Sequence, residues 1–138
     1  MPRLLKVYLV LLPLLFALDF IWIGTLSGGI YNRELHSFLR ISGDSLQPIV
    51  WAGVLVYAAM AAGLVLFVLP RVEPSKWIRS SIGWGALFGA IVYAIYDLTN
   101  YSLFSGWPLH VTCVDIAWGG VINALGALGA TALERRLR

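Results

Sequence analysis

Charge is scarce in this chain. Asp, Glu, Lys and Arg together make up 12% of the 138 residues, about half the roughly 25% of a soluble domain. Cysteine is nearly missing: Cys113 stands alone, so no intramolecular disulfide can form. Inside a helix it is expected to be an inert packing residue. There is no His-Glu-x-x-His, no paired-Cys motif and no Gly-rich phosphate loop. The common zinc, redox and nucleotide chemistries therefore have no anchor, and no cofactor and no metal site are assigned. The net charge of +3 is no nucleic-acid footprint, because the basic residues sit at segment ends instead of forming a patch.

What is present in excess is apolar sequence, at 59%. It falls in four blocks, Leu4–Leu26, Leu46–Leu69, Ile82–Phe104 and Leu109–Leu133. Each is long enough to cross a hydrocarbon core of about 30 Å at about 1.5 Å per residue. The expected fold is all-α: a four-helix transmembrane bundle forming one integral membrane domain over residues 1–138. The first block follows Arg3 and Lys6, as a signal peptide would, but it is long and Asp19 and Trp22 interrupt its far end. It is expected to be a retained span. If the N-terminus is cytoplasmic, Arg3, Lys6, Arg71, Lys76, Arg79, Arg135, Arg136 and Arg138 share that side, against Arg33 and Arg40 opposite. This bias predicts a multi-pass membrane protein with both termini in the cytoplasm, touching membrane lipids.

The connections are short except the first. Ser27-Gly28-Gly29 is expected to end helix one, and Ile30–Ile41 to form a short interfacial amphipathic helix, either a lid or a passive anchor. Gly43-Asp44-Ser45 would then lead into helix two, with Pro48 in its first turn and Pro70 at its end. Ser105-Gly106-Trp107-Pro108 reads as a hairpin turn, with Gly106 left-handed, Trp107 in the aromatic belt and Pro108 starting helix four.

Three aspartates break the apolar blocks: Asp19, Asp97 and Asp115. Each costs about 2.5–3.5 kcal/mol near a bilayer centre on insertion scales. Counted from the span ends, all three lie roughly 9–11 Å deep, in one layer of the outer half. Polar and aromatic neighbours recur at helical spacing: Trp22 beside Asp19, Tyr93 and Asn100 beside Asp97, Thr112 and Trp118 beside Asp115, with Asn123 two turns on. These nine residues are the candidate ligand-binding set. Helix two carries no Asp or Glu and is expected to scaffold the bundle. Small residues at Gly85/Gly89, Ala59/Gly63 and Gly126/Ala130 should let helices approach closely.

The stretches Tyr93-Ala-Ile-Tyr-Asp-Leu-Thr-Asn100 and Gly106-Trp-Pro-Leu-His-Val-Thr-Cys-Val-Asp-Ile-Ala-Trp-Gly119 resemble those of domain-of-unknown-function family 2177, small bacterial multi-helix membrane proteins. Asp19-Phe-Ile-Trp22 and Tyr31 also fit its first segment. The resemblance implies a multi-helix inner-membrane protein and brings no activity with it.

The residues support three functions. In the first, an acidic and aromatic pocket open to the outer side binds or moves a small cationic, protonatable or lipid-like ligand. Four helices are few for alternating access, so a translocating form would be a homodimer. In the second, a small membrane enzyme acts on a lipid or isoprenoid with Asp97 or Asp115 as general acid or base. In the third, the chain is an accessory subunit of a membrane complex. Against all of them stands plain structural glue, in which polar side chains only tie helices together.

Overall fold

The computed structural model describes residues 1–138, except the side chains at 26 and 27. Helix α1, Arg3–Ile21, passes through a π-helical stretch, Trp22–Ser27, into α2, Gly28–Glu34. The expected end of the first span at Leu26 and the stop at Ser27 fall on the two positions whose side chains lie outside the described residues. Gly28 does not stop the helix, since it is itself helical with φ −55° and ψ −38°. Its role is close approach: a Cβ here would overlap the Ile23 carbonyl, which the wide turn brings against it.

The expected Ile30–Ile41 helix is shorter and shifted. After α2 comes one 3-10 turn, His36–Phe38, then a two-stranded hairpin of β1, Ile41–Ser42, and β2, Ser45–Leu46. Gly43, at φ 60°, opens its two-residue turn as a II′ turn requires. Helix α3 begins at Val50. Pro48 is therefore not inside its first turn but ahead of it. Proline holds the preceding residue extended, which postpones the helix. The far end of α3, Val50–Gly63, widens into a π-helical stretch, Leu64–Val68, before a 3-10 turn, Leu69–Arg71. The Pro70 ring would crowd the carbonyl four residues earlier, and the wider turn relieves it. Helix α4, Trp77–Leu103, and α5, Leu109–Arg136, are joined by the expected turn, with Gly106 left-handed at φ 83°. Among the described residues, four helical segments are long and apolar enough to cross a membrane: Arg3–Thr25, Val50–Arg71, Pro74–Leu103 and Leu109–Arg136.

Helices α4 and α5 form the tightest pair. Added Cβ atoms at Gly85 or Gly89 would strike the α5 backbone at Asn123 and Gly119, so the two backbones touch. Ser81 donates to Thr131 across this seam at 2.9 Å. Helix α1 lies on α5 and α3 lies on α1, around Leu11, Leu15, Leu64, Ile122 and Ala127. Gly126 opens onto Leu64 and Leu15, and Gly63 onto the Phe88 ring, as expected for close approach, whereas Ala59 is exposed. The α3 span meets α4 chiefly through Leu64–Val68. Toward the other end the two helices part.

Both termini lie at one end. Glu134, buried, is paired with Arg3 at 2.9 Å and Arg138 at 3.0 Å, and Arg135 lies over the Trp77 ring. At the opposite, hairpin end, Leu35, Trp107 and Val111 form a second small core with Ile30, Tyr31 and Leu39. Trp107 is thus no belt residue. It is buried under the α2 segment and packs against Phe38 and Phe104. Cys113, expected to pack inside, is exposed on the apolar surface of α5.

Candidate functional site

The three aspartates reach one layer from three helices, but their surroundings differ sharply. Asp19 is satisfied on both oxygens: Tyr57 donates its hydroxyl to Oδ2 at 2.6 Å and Trp118 its indole N–H to Oδ1 at 2.9 Å. One carboxylate therefore ties α1, α3 and α5. Beside it, the Trp22 and Trp118 rings stack with centroids 4.4 Å apart and planes 4° from parallel. The Trp22 N–H donates to the Tyr31 hydroxyl at 3.0 Å, and that hydroxyl donates to Asp115 Oδ1. The π-helical stretch and the tightly packed Gly28 re-aim α2 so that Tyr31 reaches the layer.

Asp97 is the exception. It has 0% exposure, and neither of its carboxyl oxygens has a hydrogen-bond partner among the described residues. Its neighbour is the Asp115 carboxyl. No other side chain among the described residues donates a hydrogen bond to Asp97. No ion pair among the described residues involves any of the three aspartates. Outside the layer, the Glu34 carboxyl lies 3.7 Å from the His110 ring nitrogen and so links α2 to the start of α5.

Tyr93 completes the layer. Its ring lies flat against Gly119, where any Cβ would overlap it, and its phenol is within electrostatic reach of Asp19, Asp115, Tyr31 and Tyr57. On its other side Tyr93 lines a groove of about 530 Å³ between α3 and α4, with Val56, Ala59, Met60, Phe88, Val92 and Tyr96. The groove opens sideways on the surface of the bundle, where the two helices part.

Of the nine residues singled out from the sequence, Asp19, Trp22, Tyr93, Asp97, Asp115 and Trp118 come together. Thr112 is buried a turn from Asp115, with a long 3.4 Å bond to the Pro108 carbonyl. Asn100 lies about a turn beyond Asp97, beside Tyr96. Asn123 is elsewhere: about 12 Å along α5 from Asp115, it is buried in the α4–α5 seam, bonded to the Gly119 carbonyl at 2.9 Å. Two members were not anticipated. Tyr57 makes α3 a contributor instead of a bare scaffold, and Tyr31 is the donor to Asp115. Tyr57 lies seven residues from Val50, roughly the depth of the aspartates.

The chain has no match among curated proteins or solved structures. The profile of one family, described as a predicted membrane protein, matches residues 4–132. Nearly the whole chain is covered, so it belongs to domain-of-unknown-function family 2177, a family of predicted membrane proteins.

Proposed function

We propose that the protein binds a positively charged, membrane-soluble ligand at Asp97 and Asp115. The observation that carries this is Asp97: a fully buried carboxyl with both oxygens unmet among the described residues, next to a second carboxyl. Stability alone disfavours such an arrangement, because a buried acceptor without a donor costs about 1–3 kcal/mol. An ammonium group supplies both the donors and the charge that the site lacks. Asp19 has a different part. With both oxygens satisfied it acts as the structural tie of the layer, the role that polar groups commonly play between membrane helices.

The orientation follows from charge. The basic end, with both termini, faces the cytoplasm of a bacterial inner membrane, and the acid layer lies in the outer half. Native mass spectrometry of the detergent-purified protein tests the site. The expected result is a defined small cationic molecule on the wild type that is lost in Asp97→Asn while the protein stays folded. A bare wild type that also gains no mass when titrated with alkylammonium would refute the reading.

A further inference from the structure

The direction of entry can be read from what covers the layer. At the hairpin end the approach along α5 is closed. Val111 and Thr112, one turn above Asp115, are buried at 0% and 1% exposure, and Leu35 and Trp107 pack over that face. Tyr31 sits on the Asp115 carboxyl itself, and the Glu34–His110 pair joins the α2 segment to α5. The expected opening toward the aqueous outer side is thus covered by a packed cap.

The side is different. The groove between α3 and α4 lies within the spans, and its 530 Å³ fall in the range of about 300–1,000 Å³ typical of small-ligand sites. Its walls are apolar except for Tyr93 and Tyr96, and both phenols lie within electrostatic reach of the carboxyls. Tyr93 belongs both to this apolar wall and to the acid layer, whose aspartates have no ion-pair partner among the described residues. The occupant that fits both is a molecule with an aliphatic chain and one positive head.

We infer that a single-chain cationic amphiphile enters laterally from the bilayer, laying its chain in the α3–α4 groove and passing its charged head by Tyr93 to Asp97 and Asp115. This rests on the acid-site reading above and names its ligand class and route. Tyr93 is the positioning residue at the junction. Gly119 provides the space that its ring occupies, so the ring can lie against α5 and leave the groove open.

Photolabelling tests this in phosphatidylcholine nanodiscs, with diazirine-bearing dodecylammonium and the matching dodecanol as probes. The ammonium probe should label Val56–Met60 and Phe88–Tyr96, and unlabelled dodecylammonium should compete where dodecanoate does not. Labelling by the ammonium should exceed that by the alcohol by about tenfold, the value of one charge-assisted hydrogen bond. Asp97→Asn should abolish that preference. Ala59→Trp should block the groove and leave the acid layer untouched, since Ala59 is exposed and lines only the groove. The wild-type labelling map needs no variant, so a misfolded variant does not void the test. Charge-selective labelling of residues 30–39 and 107–111 instead would overturn the lateral route and keep the acid site. Equal labelling of the groove by both probes would give it to an uncharged chain and overturn the acid site. A groove protected from both probes, in a particle of doubled protein mass, would assign it to a second copy of the chain and overturn the proposal. Absence of labelling in a monomer would overturn both readings.

Discussion

Replacing Asp97 by Asn and replacing Asp19 by Asn should change stability in opposite directions. The two residues share depth and chemistry but not partners. Asp19 receives two hydrogen bonds, from Tyr57 and Trp118. An Asn there keeps one carbonyl oxygen and turns an N–H toward the other donor, so one bond is lost and one donor is left unmet. The cost is about 1–3 kcal/mol. Asp97 receives no bond among the described residues. An Asn there removes a buried carboxyl and offers N–H donors to Asp115. A new interhelical bond in membrane is worth about 0.6–1.7 kcal/mol, and relief of the unmet acceptor adds to it. Asp97→Asn should therefore stabilise by about 1 kcal/mol or more, and the two variants should differ by about 2–4 kcal/mol. Reversible unfolding in mixed micelles at a fixed lipid-to-detergent ratio, without added ligand, measures the difference. If Asp97→Asn destabilises as much as Asp19→Asn, Asp97 is a structural tie and the binding argument fails. A variant that is both more stable and unable to bind would show the trade-off expected where a site is kept strained for function.

Two further changes probe the frame around the site. Tyr31→Phe removes the donor to Asp115 and the acceptor for Trp22, while Leu35, Trp107 and Val111 keep the cap in place. It should cost about 0.6–1.7 kcal/mol and speed amide exchange over residues 28–38. Unchanged exchange there would separate the cap from the acid layer. Gly89→Leu should lower the unfolding midpoint strongly, by at least the 1–3 kcal/mol of ordinary overpacking, because even its Cβ overlaps the Gly119 carbonyl and Asn123. Gly83→Ala, whose Cβ meets nothing within 4 Å, should leave the midpoint unchanged or raise it, and a drop there would fault the packing described.

The spans and the acid layer were legible because each rests on one-dimensional counting. Length and hydropathy locate the helices, and residues counted from the span ends give depth. Partners are not countable in that way. Tyr57 was overlooked because helix two was expected to begin at Leu46, which buries Tyr57 several ångströms too deep. Proline at 48 delays the start to Val50 and brings it level with Asp19. Tyr31 was hidden by the opposite error, a glycine pair taken as a stop. Gly28 instead opens α2 directly after a π-helical passage that keeps the chain helical and turns Tyr31 inward. Asn123 shows the limit of spacing arguments. It follows Asp115 by about two turns, but at that depth α4 is so close that the amide is consumed by the seam. The cap over Trp107 depends on contacts between segments far apart in sequence, which no local pattern records.

The π-helical stretch Leu64–Val68 has a mechanical consequence. At this stretch the span is pressed against α4, and above it α3 is held mainly by α1. Such a helix is a lever with its fulcrum near Val68 and, among the described residues, a single polar latch, the Tyr57–Asp19 bond of 2.6 Å. Eleven residues separate latch and fulcrum, an arm of roughly 16 Å. A tilt of about 3–4° then moves the phenol about 1 Å, enough to break an O–H···O bond. The width of the α3–α4 opening and the occupancy of one hydrogen bond are therefore the same coordinate, and the vibrational band of the Asp19 carboxyl reads the position of the whole helix.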